Sequence, residues 1–252
     1  GAADAILRTL AAYGFEWDGP VLYQSQRGEA YHEAIARLRR AGLAYDCGCT
    51  RKEIRAAAEA AGTAVYPGTC RGGLPPGKSP RAVRLRTAAE CIAFADRVQG
   101  RSEQALAHEV GDFVVCRADG LFAYQLAVVV DDAHQGITHV VRGADLLDST
   151  ARQVYLQRCL GFPIPRYSHI PLAASPEGQK LSKQTQAPPL PDDDPVPQLV
   201  RAFAFLGQPL PPDADRLDLA AFWAWAVAHW DPARIPAGPR IEVSEQGEMA
   251  IA

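Results

Sequence analysis

The sequence predicts an α/β fold with an inserted metal-binding segment and a short helical C-terminal region. Three observations carry this prediction. A β-branched run at 137–141, a helical pattern running from Ser149 to Gly161 and an apolar run at 167–170 read as one strand–helix–strand unit. Amphipathic helical patterns stand at both ends of the chain. Between them, Cys47-x-Cys49 and Tyr66-x-x-x-Cys70 bracket a helical pattern and open a stretch rich in Gly and Pro.

Taken in order, Ile6, Leu7, Leu10, Ala11 and Phe15 recur at helical spacing, and Tyr31, Ile35 and Leu38 repeat the pattern up to Gly42, where a left-handed cap is cheap. A short apolar run at 21–23 leads between them into Gln24-Ser25-Gln26-Arg27. Thr50 and Glu53 form a capping box, which predicts a helix over 51–61 stopped by Gly62. Residues 66–80 are too rich in Gly and Pro for regular structure. Val83 and Leu85 alternate with Arg84 and Arg86, predicting a strand with one wet face. Strands are expected at 113–116, 122–130 and 137–141, with a hairpin turn at Asp119-Gly120. After a Pro- and Asp-rich linker at 188–197, helices are expected at 198–206 and 219–230.

With 252 residues, 48% hydrophobic and 22% charged, the chain can bury a substantial core and is not a disordered polymer. It has no apolar run of the roughly 20 residues a bilayer demands and no secretory leader pattern, so a cytoplasmic protein is expected. Six cysteines are too few for a disulfide scaffold. Cys47, Cys49 and Cys70 suggest metal, whereas Cys91, Cys116 and Cys159 read as core thiols. The net charge of −3 conceals a basic segment: residues 51–101 hold ten Lys or Arg against four Asp or Glu. That segment is a candidate for touching phosphates, with a solvated basic face as the alternative.

Three thiolates within reach of one ion suit zinc, which takes four tetrahedral ligands and favours sulfur. The fourth is open between Tyr66, a water and His108, and the competing reading is a cysteine pair beside an unrelated buried thiol. A closed site of this kind is structural and would order the irregular 66–80 segment. Lys180-Leu181-Ser182-Lys183-Gln184, opened by Gly178, places two ammonium groups where they can offset phosphate charge, although a solvated lysine pair is the commoner meaning. Arg142 presents a planar fork suited to a carboxylate, and Gly143 permits close backbone approach; a salt bridge to Asp145 is the alternative. Tyr124 is either a ligand contact or a core aromatic.

Taken together, Tyr23-Gln24-Ser25-Gln26-Arg27, Cys47-Gly48-Cys49-Thr50, the segment 122–132, the segment 138–150 and Lys180-Leu181-Ser182-Lys183-Gln184 resemble the glutamyl-tRNA synthetase family across nearly all of residues 1–187. The resemblance implies a Rossmann-like class I synthetase catalytic domain. Residues 1–46 and 113–187 would form it, 47–112 would be the inserted zinc-binding subdomain facing tRNA, and 188–252 the helical C-terminal region. It also implies that Tyr124 and Arg142 form the glutamate pocket. Lys180 and Lys183 would serve the reaction, with Lys183 contacting ATP in the loop that stands for the family's KMSKS signature; Gln184 departs from that signature at its fifth position.

Only about 65 residues follow that loop, and Cys47, Cys49, Tyr66 and Cys70 match the zinc pattern of the short-tailed branch that transfers glutamate to queuosine in tRNA(Asp). Membership of that branch implies L-glutamate, ATP with magnesium, and queuosine-containing tRNA(Asp) as partners, with structural zinc. The family's HIGH-like motif and its amino-group-binding acid fall upstream of the point matching Gly1, so they are expected in a preceding segment, with a catalytically incomplete relative as the alternative. The alternatives are a glutamyl-tRNA synthetase fragment charging tRNA(Glu) and a non-catalytic zinc-containing RNA-binding module.

Overall fold

The computed structural model describes residues 1–176, 178–181 and 189–243. In chain order the elements are α1 (Ala2–Ala12), α2 (Gly28–Arg40), β1 (Ala44–Cys47), α3 (Arg51–Ala60), β2 (Ala82–Leu85), β3 (Ile92–Asp96), β4 (Gly100–Gln104), α4 (Leu106–Glu109) and β5 (Phe113–Cys116). There follow α5 (Tyr124–His134), β6 (His139–Gly143), α6 (Leu147–Leu160), β7 (Arg166–Ile170), β8 (Leu172–Ala174), α7 (Val196–Phe205), α8 (Leu219–His229) and β9 (Arg240–Glu242). The chain divides into two compact units, one of residues 1–21, 141–145 and 168–252, the other of residues 22–140 and 146–167.

In the 22–167 unit, β1, β2 and β5 form an antiparallel sheet in the order β1-β2-β5. Helix α2 forms because Tyr31, Ala34, Ile35 and Leu38 recur on one face, and all four are buried. They pack with Leu85, Val115, Leu126, Leu156 and Leu160 in the main core. Each leucine sealed there contributes about 2 kcal/mol relative to exposure. Helix α3 starts at the expected box, in which Glu53 N donates to Thr50 Oγ1 and Thr50 N donates to Glu53 Oε2.

The run at 122–130 is a helix, not the expected strand. Six residues of α5, Gln125, Leu126, Ala127, Val129, Val130 and Asp131, are buried, so the element lacks a polar face. A short apolar run buried on most sides shows no period that separates helix from strand, and packing overrides the β preference of its valines. Its polar anchor is Asp131, which accepts from Gln24 Nε2 at 3.0 Å, Arg27 Nε at 2.9 Å and Tyr31 Oη at 2.7 Å. The Gln24-Ser25-Gln26-Arg27 segment is thereby tied to the end of α5.

Strands β3 and β4 had no counterpart in the sequence reading. They form a hairpin in which Asp96 Oδ1 accepts from Val98 N and Gln99 N, within a four-stranded sheet of order β4-β3-β7-β6. Nor does β2 have a wet face. Arg84 is 8% exposed and lies on the side of the sheet opposite Val83 and Leu85. Cys91 is exposed rather than a core thiol, while Cys116 and Cys159 are partly buried.

The other unit has its own small aromatic core of Tyr13, Leu199, Phe203, Phe222 and Ala226. Trp223 Nε1 donates to Tyr13 O at 2.9 Å, fastening α8 to the end of α1, and Asp218 caps α8 through Ala221 N. Strands β8 and β9 pair in parallel. Among the described residues no helix is long and apolar enough to cross a membrane.

One buried carboxylate ties the irregular 66–80 segment to the first sheet. Asp112, 2% exposed, accepts from Tyr45 Oη on β1, from both Arg71 Nε and Nη2, and from Thr87 N at 2.8 Å. Burial pushes its carboxyl up, but the bonds from Arg71, Tyr45 and Thr87 outweigh burial and hold it below the ordinary aspartate value. A folded value below the unfolded one means stability that is complete above about pH 4 and is lost as pH falls through the folded value. Asp112→Asn is therefore expected to lower unfolding free energy by about 3 kcal/mol at pH 7, with the difference shrinking below pH 4. Urea titrations of both proteins across pH check this, and a gap that is the same at pH 3 and pH 7 would contradict it.

Candidate functional site

The sequence-predicted metal residues converge. Strand β1 delivers Cys47, the turn into α3 delivers Cys49, and the irregular segment returns Tyr66 and Cys70, three of the four buried and Cys49 half-buried. The three sulfurs lie within 4.8 Å of one another, with Cys49 and Cys70 at 3.5 Å. A tetrahedral ion at a metal–sulfur distance of about 2.3 Å needs sulfurs about 3.8 Å apart, so the cluster is sized for zinc. Tyr66 Oη lies 3.5 Å from Cys47 Sγ and 3.9 Å from Cys49 Sγ, and accepts from Cys70 N at 2.9 Å, which sets an oxygen beside the sulfurs. His108 is exposed and stands outside the group.

Electrostatics match that donor set. Burial pushes the Cys47 thiol up, but hydrogen bonds from Tyr66 and the backbone, together with the Arg84 guanidinium, outweigh it and leave the thiol below its usual value. Cys49 is pushed up to about 12 by burial and then by its contact with Cys70. Burial and the neighbouring sulfurs likewise raise the Tyr66 phenol. Without a cation, then, the pocket penalises a second negative charge, and a divalent ion is the natural counter-charge. Gly111 keeps Tyr66 in place: at φ +68° its backbone pairs with Tyr66, and a Cβ there would stand 2.9 Å from Tyr66 O.

The second constellation lies in the unit that contains 141–145 and 168–252. Arg142, near the end of β6, donates through Nε to His169 Nε2 on β7 at 3.0 Å. An arginine only donates, so Nε2 is the acceptor and His169 is neutral with its proton on Nδ1. His169 is fully buried, which fixes the imidazole and through it the guanidinium. The salt bridge weighed for Arg142 is made by another residue: Asp145 Oδ2 accepts from Lys180 Nζ. Gly143 permits the close approach its position suggested, since a Cβ there would meet Asp145 Oδ1 at 2.6 Å and Leu172 Cδ2 at 2.9 Å.

Lys180 is held by a small hairpin. Ser175 N donates to Gln179 O, Leu181 N donates to Ala173 O, and Gly178 turns at φ +75°. Lys183 lies outside the described residues. Tyr124 is the first residue of α5 in the other unit and is 46% exposed, so it is not a core aromatic. Its neighbour Gln125 is buried and donates to Ser149 Oγ at 3.0 Å.

Sequence reasoning missed His169, whose signal was a lone histidine in the apolar run at 167–170, and Arg84, hidden by apparent alternation. The basic segment is partly structural: Arg71 pairs with Asp112, Lys78 with Glu53, and Arg86 donates to Arg71 O. Arg51, Lys52, Arg55, Arg81 and Arg97 remain as exposed side chains.

Comparison with known proteins agrees with this arrangement. The family model for class I tRNA synthetases (E and Q), catalytic domain, matches residues 1–194. The glutamyl-Q tRNA(Asp) synthetase of Dechloromonas aromatica is 62% identical over 239 residues, which are 94% of this chain and 79% of that protein. The protein of that name from Aromatoleum aromaticum is 54% identical, over 94% of this chain and 75% of its own length. Among solved structures, the glutamate-tRNA synthetase of Elizabethkingia anophelis superposes with a TM-score of 0.76 at 23% identity, covering 98% of this chain and 59% of that one, and so shares the fold. With mixed sheets, a cysteine cluster sized for zinc and identity of this extent, the chain belongs to the class I tRNA synthetases of the E and Q type, on the glutamyl-Q tRNA(Asp) synthetase branch.

Proposed function

We propose that this chain supplies the glutamate-binding and phosphate-facing parts of a cytoplasmic enzyme that activates L-glutamate with magnesium–ATP and transfers it to queuosine in tRNA(Asp). Two things support the acceptor: the names of the relatives that cover it, and the match of Cys47, Cys49, Tyr66 and Cys70 to that branch. The observation that carries the chemistry is the turn at 141–145. Arg142, the carboxylate fork, and Asp145, the partner of Lys180, stand three residues apart there.

In this reading Arg142 binds and orients glutamate; for Tyr124, in the other unit, a part in glutamate binding rests on the family resemblance alone. The bond to the buried His169 aligns the guanidinium. The α-carboxylate of glutamate attacks the α-phosphate of ATP, forming the mixed anhydride and releasing pyrophosphate. Lys180 and Lys183 offset the charge that develops on the leaving group, and Asp145 restrains Lys180 until phosphate competes for its ammonium. A hydroxyl of the queuosine cyclopentenediol then attacks the activated carbonyl and displaces AMP. Zinc held by Cys47, Cys49, Cys70 and Tyr66 contributes folding free energy to the 66–80 segment and takes no part in bond making.

Glutamate-dependent exchange of labelled pyrophosphate into ATP by the full-length protein tests the activation step, and labelled glutamate offered to separate RNAs tests the acceptor. The expected result is exchange, with label on queuosine-containing tRNA(Asp) and none on the same RNA lacking queuosine. Label on tRNA(Glu) would make the protein a discriminating charging enzyme. RNA binding without exchange would make it a binding module. Arg142→Lys is expected to raise the KM for glutamate tenfold or more while KM for ATP changes little, because lysine cannot make the paired hydrogen bonds of the fork; equal effects on both substrates would count against the assignment. Zinc removal by a chelator is expected to raise amide hydrogen exchange at 66–80 tenfold or more while α2 and α6 keep their protection. Uniform loss of protection, or none, would contradict a local structural role.

A further inference from the structure

Resting on the zinc reading above, we propose that Arg84 is a positioning residue of the metal centre, a buried cation that offsets the excess negative charge of the ligand set and holds Tyr66 as its fourth member. Zinc bound by three thiolates already carries a net negative charge, and a phenolate would add another. Cys47, Tyr66 and Cys70 are 1%, 7% and 0% exposed and only Cys49 is half-buried, so solvent screens that excess little.

Arg84 is the cation placed to do so. Its guanidinium carbon lies 4.0 Å from the centroid of the Tyr66 ring, stacked over a face whose electron density rises as the oxygen is coordinated. Among the described residues it pairs with no carboxylate. It donates through Nη1 to the backbone oxygen of Asp112 at 2.6 Å, while the carboxylate of Asp112 is committed to Tyr45, Arg71 and Thr87. Arg84 Nε is buried and has no partner. A buried guanidinium without a counter-ion is expensive unless an anion faces it, and the cluster is that anion. The local backbone favours the arrangement: β2 pairs Arg84 with Tyr45 across the strand, and the register with β5 slips between Val83 and Arg84. Such irregularities re-aim side chains.

The test compares wild-type protein with Arg84→Met and Arg84→Lys. Zinc affinity is measured by chelator competition, and the absorption spectrum is recorded after cobalt(II) replaces zinc; far-UV circular dichroism shows that each variant folds. Arg84→Met is expected to bind zinc at least tenfold more weakly, with shifted sulfur-to-cobalt charge-transfer bands. Arg84→Lys should recover part of the affinity by restoring charge without the flat stack. Wild-type affinity together with an unchanged cobalt spectrum in Arg84→Met overturns the proposal. Should Arg84→Met not fold, Arg84→Gln takes its place against Arg84→Lys: zinc tenfold weaker with glutamine than with lysine supports it, and equal affinities overturn it. A wild-type protein that takes up neither zinc nor cobalt sinks the metal reading itself, and this inference with it.

Discussion

The buried carboxylate of Asp112 is the constraint on which the 22–167 unit turns. The 66–80 segment has no ladder of its own, yet it returns Tyr66 and Cys70 to the end of β1, beside Cys47 and Cys49. Asp112 does this by gathering donors from three places at once: Tyr45 from β1, Thr87 from just past β2, and Arg71 from the residue after Cys70. Its backbone oxygen takes Arg84 as well. A neutral residue could not accept so many bonds, and an exposed one would lose them to water. A bound ion and this network would constrain adjacent residues of the same segment, Cys70 and Arg71, so each would lower the entropy that the other must overcome.

How much of this was legible depended on the range of the interaction. Local signals were readable: the Thr50 and Glu53 box, the left-handed stop of α6 at Gly161, and the cysteine spacing all operate within one or two turns of chain. The helix at α5 was not. Its burial comes from α2 and α6, outside the run itself, and a chain segment buried on most sides shows no alternation to read. Arg84 failed for the converse reason: in Val83-Arg84-Leu85 the charged residue looked like the solvent face of a strand, whereas that face looks onto the cysteine cluster. Alternation in sequence reports a change of surroundings, and it does not say that one of them is water.

The candidate chemistry divides along the same line. Motif resemblance pointed to Arg142 and Lys180 separately, because each sits in a recognisable string. What the strings could not contain was the hydrogen bond that makes each residue usable. Arg142 is oriented by His169, 27 residues on, and Lys180 by Asp145, 35 residues back. The roles first weighed for Arg142 and Asp145 as partners of each other are thereby exchanged for partners on neighbouring strands and turns.

Those two pairings differ in a way that suits an adenylation reaction. Arg142 donates through Nε to the buried His169, which aligns its fork, and alignment before binding is where an arginine gains over a lysine. Lys180 is held by a carboxylate at the protein surface, a bond weak enough in water to be exchanged for phosphate as charge accumulates there. In the reading proposed above, Arg142 would serve recognition of a ground state, and Lys180 would follow charge that appears only as the reaction proceeds. In that reading, a chain that lacked Asp145 would hold the Lys180 ammonium in no particular place when pyrophosphate begins to leave.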